Sequence, residues 1–138
     1  MRNFRKTTEP KGEIKEGKND IYVIQKHDAS HLHFDLRLEM DGVLKSWAIP
    51  KEPPVEKGLK RLAVATENHP VDYADFEGVI PEGYYGAGKV EIWDKGTYEL
   101  EERTEDKIVI NIKGKKLNGR YCLIKFKGQD KNWLFFRC

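Results

Sequence analysis

The sequence predicts an all-β, mainly antiparallel fold built as a barrel or sandwich over residues 21–138, preceded by a polar amino-terminal arm over residues 1–20. Three observations lead there. Short apolar or alternating runs follow one another closely from Ile21 to Arg137. Gly-, Asn- and Asp-bearing turn signals separate them. No segment carries the 3.6-residue periodicity of an amphipathic helix. At 138 residues, with 38% hydrophobic and 11% aromatic side chains, the chain is the size of one domain with one core.

The arm, "MRNFRKTTEPKGEIKEGKND", is polar, carries Pro and Gly, and offers little to a core beyond Phe4. "IYVIQ" opens the strands. The run from His31 to Met40 alternates polar and apolar residues, Asp41-Gly42 is a hairpin signal, and "VLKSWAI" returns. "PKEPPVEKG" reads as a loop, because Pro cannot serve a central ladder. "LAVAT" is the next strand, and His69, before a proline in "ENHPVDY", is expected in a turn. "GVIPEGYYGAG" reads as a Gly-rich loop before "KVEIWD", and Asp94-Lys95-Gly96 as a turn into "TYEL". "KIVINI", "RYCLIKF" and "NWLFFR" complete the series.

A net charge of +2 leaves any affinity for nucleic acid to a local patch rather than to bulk charge. Cys122 and Cys138 form no Cys-x-x-Cys pair, which argues against a zinc ribbon. Cys122 is expected to be packed and Cys138 inert. With no signal-peptide pattern and no apolar run near 18 residues, the expectation is a cytoplasmic protein that does not span a membrane.

Chemistry concentrates in "KHDASHLHFDLRLEMDG". Alternation places His31, His33, Asp35, Arg37 and Glu39 on one face and Leu32, Phe34, Leu36, Leu38 and Met40 on the other. Same-face neighbours stand about 7 Å apart along a strand, so His33 and Asp35 can converge on one ion, with His27 swinging back across the Asp28-Ala29-Ser30 turn. Two imidazoles and a carboxylate suit a first-row divalent ion such as Mn²⁺ or Zn²⁺. The plainer alternative is a polar strand with solvated histidines. Arg37 on the same face tips the balance, because guanidinium forks onto phosphate oxygens. Metal beside arginine points to phosphate chemistry. His69, Lys51, Arg61 and Tyr73 are weaker by themselves, being equally a solvated histidine, surface charge and a rim aromatic.

"VIQKHDASHLHFDLRLEMDGVLKSWAIPK", "KRLAVATENHPVDYADFEGVIPEGYYGAGKVEIWDKGTYEL" and "LNGRYCLIKF…NWLFFR" together resemble the 3′-phosphoesterase domain of bacterial DNA ligase D and its stand-alone archaeal relatives. The resemblance covers nearly the whole chain. It implies a compact β-barrel around a polar active-site cavity. It also implies a Mn²⁺-dependent hydrolase (Zn²⁺, Co²⁺ or another first-row ion being possible) that heals DNA and RNA 3′ ends. A phosphodiesterase step removes a terminal ribonucleoside, and a phosphomonoesterase step removes the remaining 3′-phosphate to leave a 3′-OH. Position by position, His27, His33 and Asp35 match the metal ligands. Arg37 and His69 match residues that bind the scissile phosphate. Lys51, Arg61 and Tyr73 match further active positions, and Arg2 and Glu9 place the arm in the site. Asn3 stands where the family carries aspartate, and His31 where arginine is common.

The implied partners are DNA or RNA 3′ ends on a primer-template, with the ligase and polymerase of end-joining repair acting in trans. A monomer, nucleoid-associated during repair, is expected. Two rivals remain: a non-catalytic module that binds nucleic-acid ends, and a two-histidine, one-carboxylate iron oxygenase using His33, Asp35 and His69.

Overall fold

A computed structural model describes residues 20–84 and 87–138. The expected arm, with Arg2, Asn3 and Glu9, lies outside the described residues apart from Asp20. Among the described residues nine strands form one antiparallel sheet: β1 (Ile21–Asp28), β2 (Leu32–Met40), β3 (Val43–Ile49), β4 (Lys60–His69), β5 (Gly78–Ile80), β6 (Gly88–Arg103), β7 (Lys107–Lys113), β8 (Asn118–Lys125) and β9 (Asn132–Arg137). Their order is β1-β2-β3-β4-β9-β8-β7-β6-β5, and β1 also pairs with β6. That last pairing closes eight strands into a barrel and leaves β5 as a short outer edge. No helix among the described residues is long and apolar enough to cross a membrane.

Strand parity decides what goes inside. Phe34, Leu36, Leu38 and Met40 of β2 join Trp47 and Ile49 of β3, Ile108, Ile110 and Ile112 of β7, Tyr121 and Leu123 of β8, and Trp133 and Phe135 of β9 in one buried cluster. Trp47 and Trp133 meet edge-on there, 5.9 Å between ring centroids. Leu32, expected on this face, sits at the strand's mouth and is 46% exposed. The opposite face of β1 and β3 carries a smaller cluster, Val23 and Leu44, roofed by Ala74 and Tyr73 from the 3-10 turn Val71–Asp75. The barrel's lumen is thus apolar, and the polar cavity lies against its outer wall.

The Asp41-Gly42 hairpin is present, with Met40 opposite Val43. Three expectations are corrected. Asp94-Lys95-Gly96 is not a turn, since β6 runs through it. Asp94 is buried and accepts hydrogen bonds from the Tyr22 hydroxyl at 2.8 Å and from the backbone N–H groups of Lys115, Lys116 and Leu117. Gly96 serves close strand approach, because a Cβ there would lie 2.1 Å from the Lys113 carbonyl oxygen. Gly78–Ile80 of the expected loop pairs with β6 as a strand. His69 is the last residue of β4 rather than part of a turn. The Cys138 sulfur lies 2.7 Å from that of Cys122, both as free thiols.

Candidate active site

A two-residue hairpin turn at Asp41-Gly42 and a three-residue connection over residues 29–31 fix what faces what. In the β1–β2 register His27 stands opposite His33, and Gln25 opposite Asp35. In the β2–β3 register Arg37 stands opposite Ser46. One outer face therefore carries Gln25 and His27, then His33, Asp35 and Arg37, then Ser46, across three neighbouring strands.

At the upper end, His27 Nδ1 lies 3.7 Å and His33 Nε2 3.4 Å from Asp35 Oδ2. One donor atom from each of the three residues falls within 4.8 Å of the others. Donors bound to one ion at about 2.0–2.2 Å are separated by such distances, whereas a direct hydrogen bond is shorter. His33 Nδ1 lies 3.1 Å from the His31 carbonyl oxygen. Donation there places the proton on Nδ1 and leaves the Nε2 lone pair facing Asp35, the arrangement a metal-binding histidine needs. In the protonated ring Nε2 would instead donate to the Asp35 carboxylate, and this, against the cost of burial, raises the pKa of His33. The same negative charge favours any cation held between the rings. The triad fits a divalent metal.

Lower on the face, Arg37 is only 4% exposed. Its Nε donates to Gln25 Oε1 at 2.6 Å, its Nη1 to Ser46 Oγ at 2.8 Å, and its Nη2 lies 3.5 Å from Asp35 Oδ2. Burial lowers its pKa and Asp35 opposes that, so the guanidinium stays charged. Gln25 Nε2 donates in turn to the Tyr73 and Phe76 carbonyls, tying the 3-10 turn to the strand. Tyr73 places its ring 4.9 Å from Arg37 Cζ and stacks on Phe76.

His69 Nδ1 sits 3.2 Å from Arg37 Nη1 and 3.1 Å from the Glu67 carbonyl oxygen. With Nδ1 unprotonated it accepts from Arg37, and Nε2 then carries the ring proton. Burial, then the Arg37 charge, holds the His69 pKa below its usual value, so the ring is neutral near pH 7.

These groups line a cavity of about 850 Å³. His27, His33, Asp35, Arg37, His69 and Tyr73 are brought together, while Lys51 and Arg61 stand outside the lining. Arg61 Nε instead donates to the Glu52 carbonyl, holding the proline-rich loop to β4. His31 lies in the connection before β2 and meets the site through its carbonyl. The triad takes His27 rather than His69, which separates it from the oxygenase grouping. Sequence reasoning missed Gln25, Ser46, Glu67 and Glu82. Parity with His27 points to Gln25, and counting back from the Asp41-Gly42 turn points to Ser46.

The family model described as the DNA ligase D 3′-phosphoesterase domain matches residues 25–125, the segment that carries the triad, Arg37 and His69. The chain belongs to the DNA ligase D 3′-phosphoesterase domain family. That membership supports a phosphoesterase, hence hydrolase, role. Relatives include the multifunctional non-homologous end joining proteins LigD of Pseudomonas aeruginosa (47% identical over 147 residues) and Mycolicibacterium smegmatis (48% over 150). The corresponding DNA repair protein of Mycobacterium tuberculosis is 47% identical over 143 residues. Each alignment covers 99% of this chain but only 17% to 19% of the relative. The chain thus corresponds to one domain of those proteins.

Proposed function

We propose that this chain is a Mn²⁺-dependent phosphoesterase that heals DNA and RNA 3′ ends. It removes a 3′-terminal ribonucleoside by diester cleavage and then the exposed 3′-phosphate by monoester hydrolysis, leaving a 3′-OH for repair. One observation carries the reading. A triad that fits a cation and a buried guanidinium share the outer face of β1 and β2, with Arg37 Nη2 and both histidines within 3.7 Å of Asp35 Oδ2. A phosphate oxygen, which suits metal and arginine together, is the natural occupant of that junction. Family membership supports the same chemistry.

His27, His33 and Asp35 would hold the ion, which when bound supplies Lewis acidity toward a phosphate oxygen, Zn²⁺ or Co²⁺ being alternatives to Mn²⁺. Arg37, already oriented by Gln25 and Ser46, presents its remaining N–H edge to the phosphate. Neutral His69, its Nδ1 accepting from Arg37, donates from Nε2 to an oxygen on which charge develops. Tyr73 packs its ring against both Arg37 and His69 at the cavity wall. Lys51 and Arg61 meet the flanking strand, and the family resemblance assigns Arg2 and Glu9 of the arm to the same reaction. A ligase and a polymerase of end-joining repair then use the 3′-OH, in the cytoplasm at the nucleoid.

The test is a labelled DNA primer ending in one ribonucleotide, incubated with Mn²⁺. Two successive products are expected, the first ending in 3′-phosphate and the second in 3′-OH. Chelator should stop both steps, and Mn²⁺ should restore them better than Mg²⁺, which prefers an all-oxygen shell. Full turnover in EDTA would remove the metal from the reading.

A further inference from the structure

The β8–β9 ladder brings two sulfurs together on the outer wall of the barrel. Cys122 stands opposite Phe136, and Tyr121 opposite Arg137. The Cys138 N–H donates to the Arg120 carbonyl at 3.0 Å, which continues the ladder by one residue. Tyr121, Leu123 and Phe135 belong to the core cluster, so strand parity turns Cys122 and Cys138 together to the outside. They are diagonal neighbours across an antiparallel pair, within reach of one another's side chains. Their sulfurs lie 2.7 Å apart as free thiols. A sulfur–sulfur bond is about 2.0 Å long, so rotation of the two side chains closes the pair without moving either strand.

The two thiols differ in access, as an attacking and a resolving cysteine do. Cys138 is exposed and Cys122 buried. Burial, then Cys138 itself, pushes the Cys122 thiol up to about 12, against the pull of Lys107 and Arg120. Cys122 thus keeps its proton and is shielded from reagents in solution, while Cys138 meets them first. The residues beside the pair also hold a loop. The Tyr121 hydroxyl donates to the Pro54 carbonyl at 2.8 Å, and Arg137 Nη1 donates to the Val55 carbonyl at 3.1 Å. Whatever fastens the end of β9 to β8 therefore also steadies the proline-rich connection between β3 and β4.

We propose that Cys122 and Cys138 are a redox pair, which a small disulfide such as oxidised glutathione closes into an intramolecular disulfide. Cys138 loses its proton to solvent, and its thiolate attacks one glutathione sulfur, displacing the first glutathione thiolate. Cys122 then loses its proton, attacks the Cys138 sulfur in that mixed disulfide and displaces the second. Two electrons pass from the cysteine pair to the oxidant, and the two released thiolates take up the two protons. The bridge closes the segment 122–138 into a loop, which removes freedom from the unfolded chain and so favours the barrel.

The experiment incubates the folded full chain with oxidised glutathione, then measures intact mass, free thiols and urea unfolding. The wild type should lose two hydrogens and both free thiols, and dithiothreitol should restore them. Oxidation should lower its unfolding constant on the order of a hundredfold. Cys122→Ala, which cannot resolve, should stop at the mixed disulfide on Cys138. Cys138→Ser should stay unmodified, because its remaining thiol is buried. Neither variant should gain the stability that oxidation gives the wild type. The inference is overturned if the wild type keeps both thiols, stops at the mixed disulfide, or pairs its cysteines only after unfolding in urea. A bridge that forms but leaves the unfolding constant unchanged or raised overturns it as well.

Discussion

On the inner face of β2, Phe34, Leu36 and Leu38 pack into a cluster fed by every side of the barrel; on the outer face of the same strand, His33, Asp35 and Arg37 each meet named atoms at set distances. Burial on the inner side is non-directional and scales with area, so its residues are exchangeable within limits of volume. On the outer side each group depends on one partner in one direction. The period of two lets a single backbone serve both, stability inside and chemistry outside. Substitutions on the two faces should therefore fail in different measurements.

The largest separation is expected between His33→Ala and Leu36→Ala. His33→Ala removes a donor from the triad and should cost nearly all turnover and Mn²⁺ affinity, with a stability change of about 1 kcal/mol or less. Leu36→Ala, at a fully buried position, should cost about 2–5 kcal/mol of stability while the folded fraction keeps its metal affinity. His31→Ala is the control on the outer side. The backbone carbonyl that meets His33 Nδ1 survives the substitution, so metal affinity should persist. Metal titration, single-turnover rates and urea unfolding on all three variants check this. If His31→Ala releases the metal and His33→Ala keeps it, the assignment of the triad is wrong.

Gln25 sharpens the comparison, because it serves the outer face without being part of the triad. In Gln25→Leu the Arg37 Nε loses its acceptor, the Phe76 carbonyl loses its Gln25 donor, and the Tyr73 carbonyl keeps only the Phe76 N–H. A buried polar group left unpaired costs about 1–3 kcal/mol. The guanidinium should also lose its orientation, so KM for a 3′-phosphate end should rise while Mn²⁺ affinity holds. A variant that loses stability yet keeps KM would reduce Gln25 to a structural tie.

These residues also mark where the sequence was legible. The alternation from His33 to Met40 and the Asp41-Gly42 turn were sufficient to place the inner core and the polar face. The barrel's closure was not, since it depends on β1 pairing with β6 some seventy residues away, and no local pattern encodes such a pairing. Nor does composition distinguish Gly96, which permits close strand approach, from a glycine that makes a turn. Asp94 looked like a turn residue because its real partners, Tyr22 and the 115–117 backbone, are distant in the chain. Gln25 and Ser46 were within reach, because hairpin register pairs Arg37 with Ser46 once the turn is fixed.

Gly88→Ala tests whether the outer face depends on the loop behind it. A methyl group there meets the Asp28 carbonyl oxygen at 2.5 Å and the Ala29 Cα at 2.9 Å, both backbone atoms. One of the two segments must shift, and His27 and His33 flank the segment at risk. Weaker Mn²⁺ binding should appear with a fall in melting temperature smaller than that of Leu36→Ala. Unchanged metal affinity would mean that the triad tolerates movement of residues 28–31.

The smallest effect is expected where the outer face of β2 ends, away from the site. Glu39 lies there against Asp20, which burial and then the Glu39 charge push up to about 7; burial raises Glu39 as well. In the unfolded chain Asp20 titrates near its ordinary value of about 3.9. Between about pH 4 and 7 the folded state therefore binds more protons than the unfolded one, and stability falls as pH rises through that window, levelling off above it. His33, its proton favoured by Asp35, acts in the same direction, whereas His69 acts in the opposite one. Asp20→Asn isolates the carboxyl contribution. Urea unfolding at pH 5 and pH 8, both in EDTA, should show the wild type losing stability at the higher pH. The variant should lose less and be the more stable of the two at pH 8. If both proteins lose stability equally between the two pH values, the decline belongs to the histidines of the site and the acid pair carries none of it.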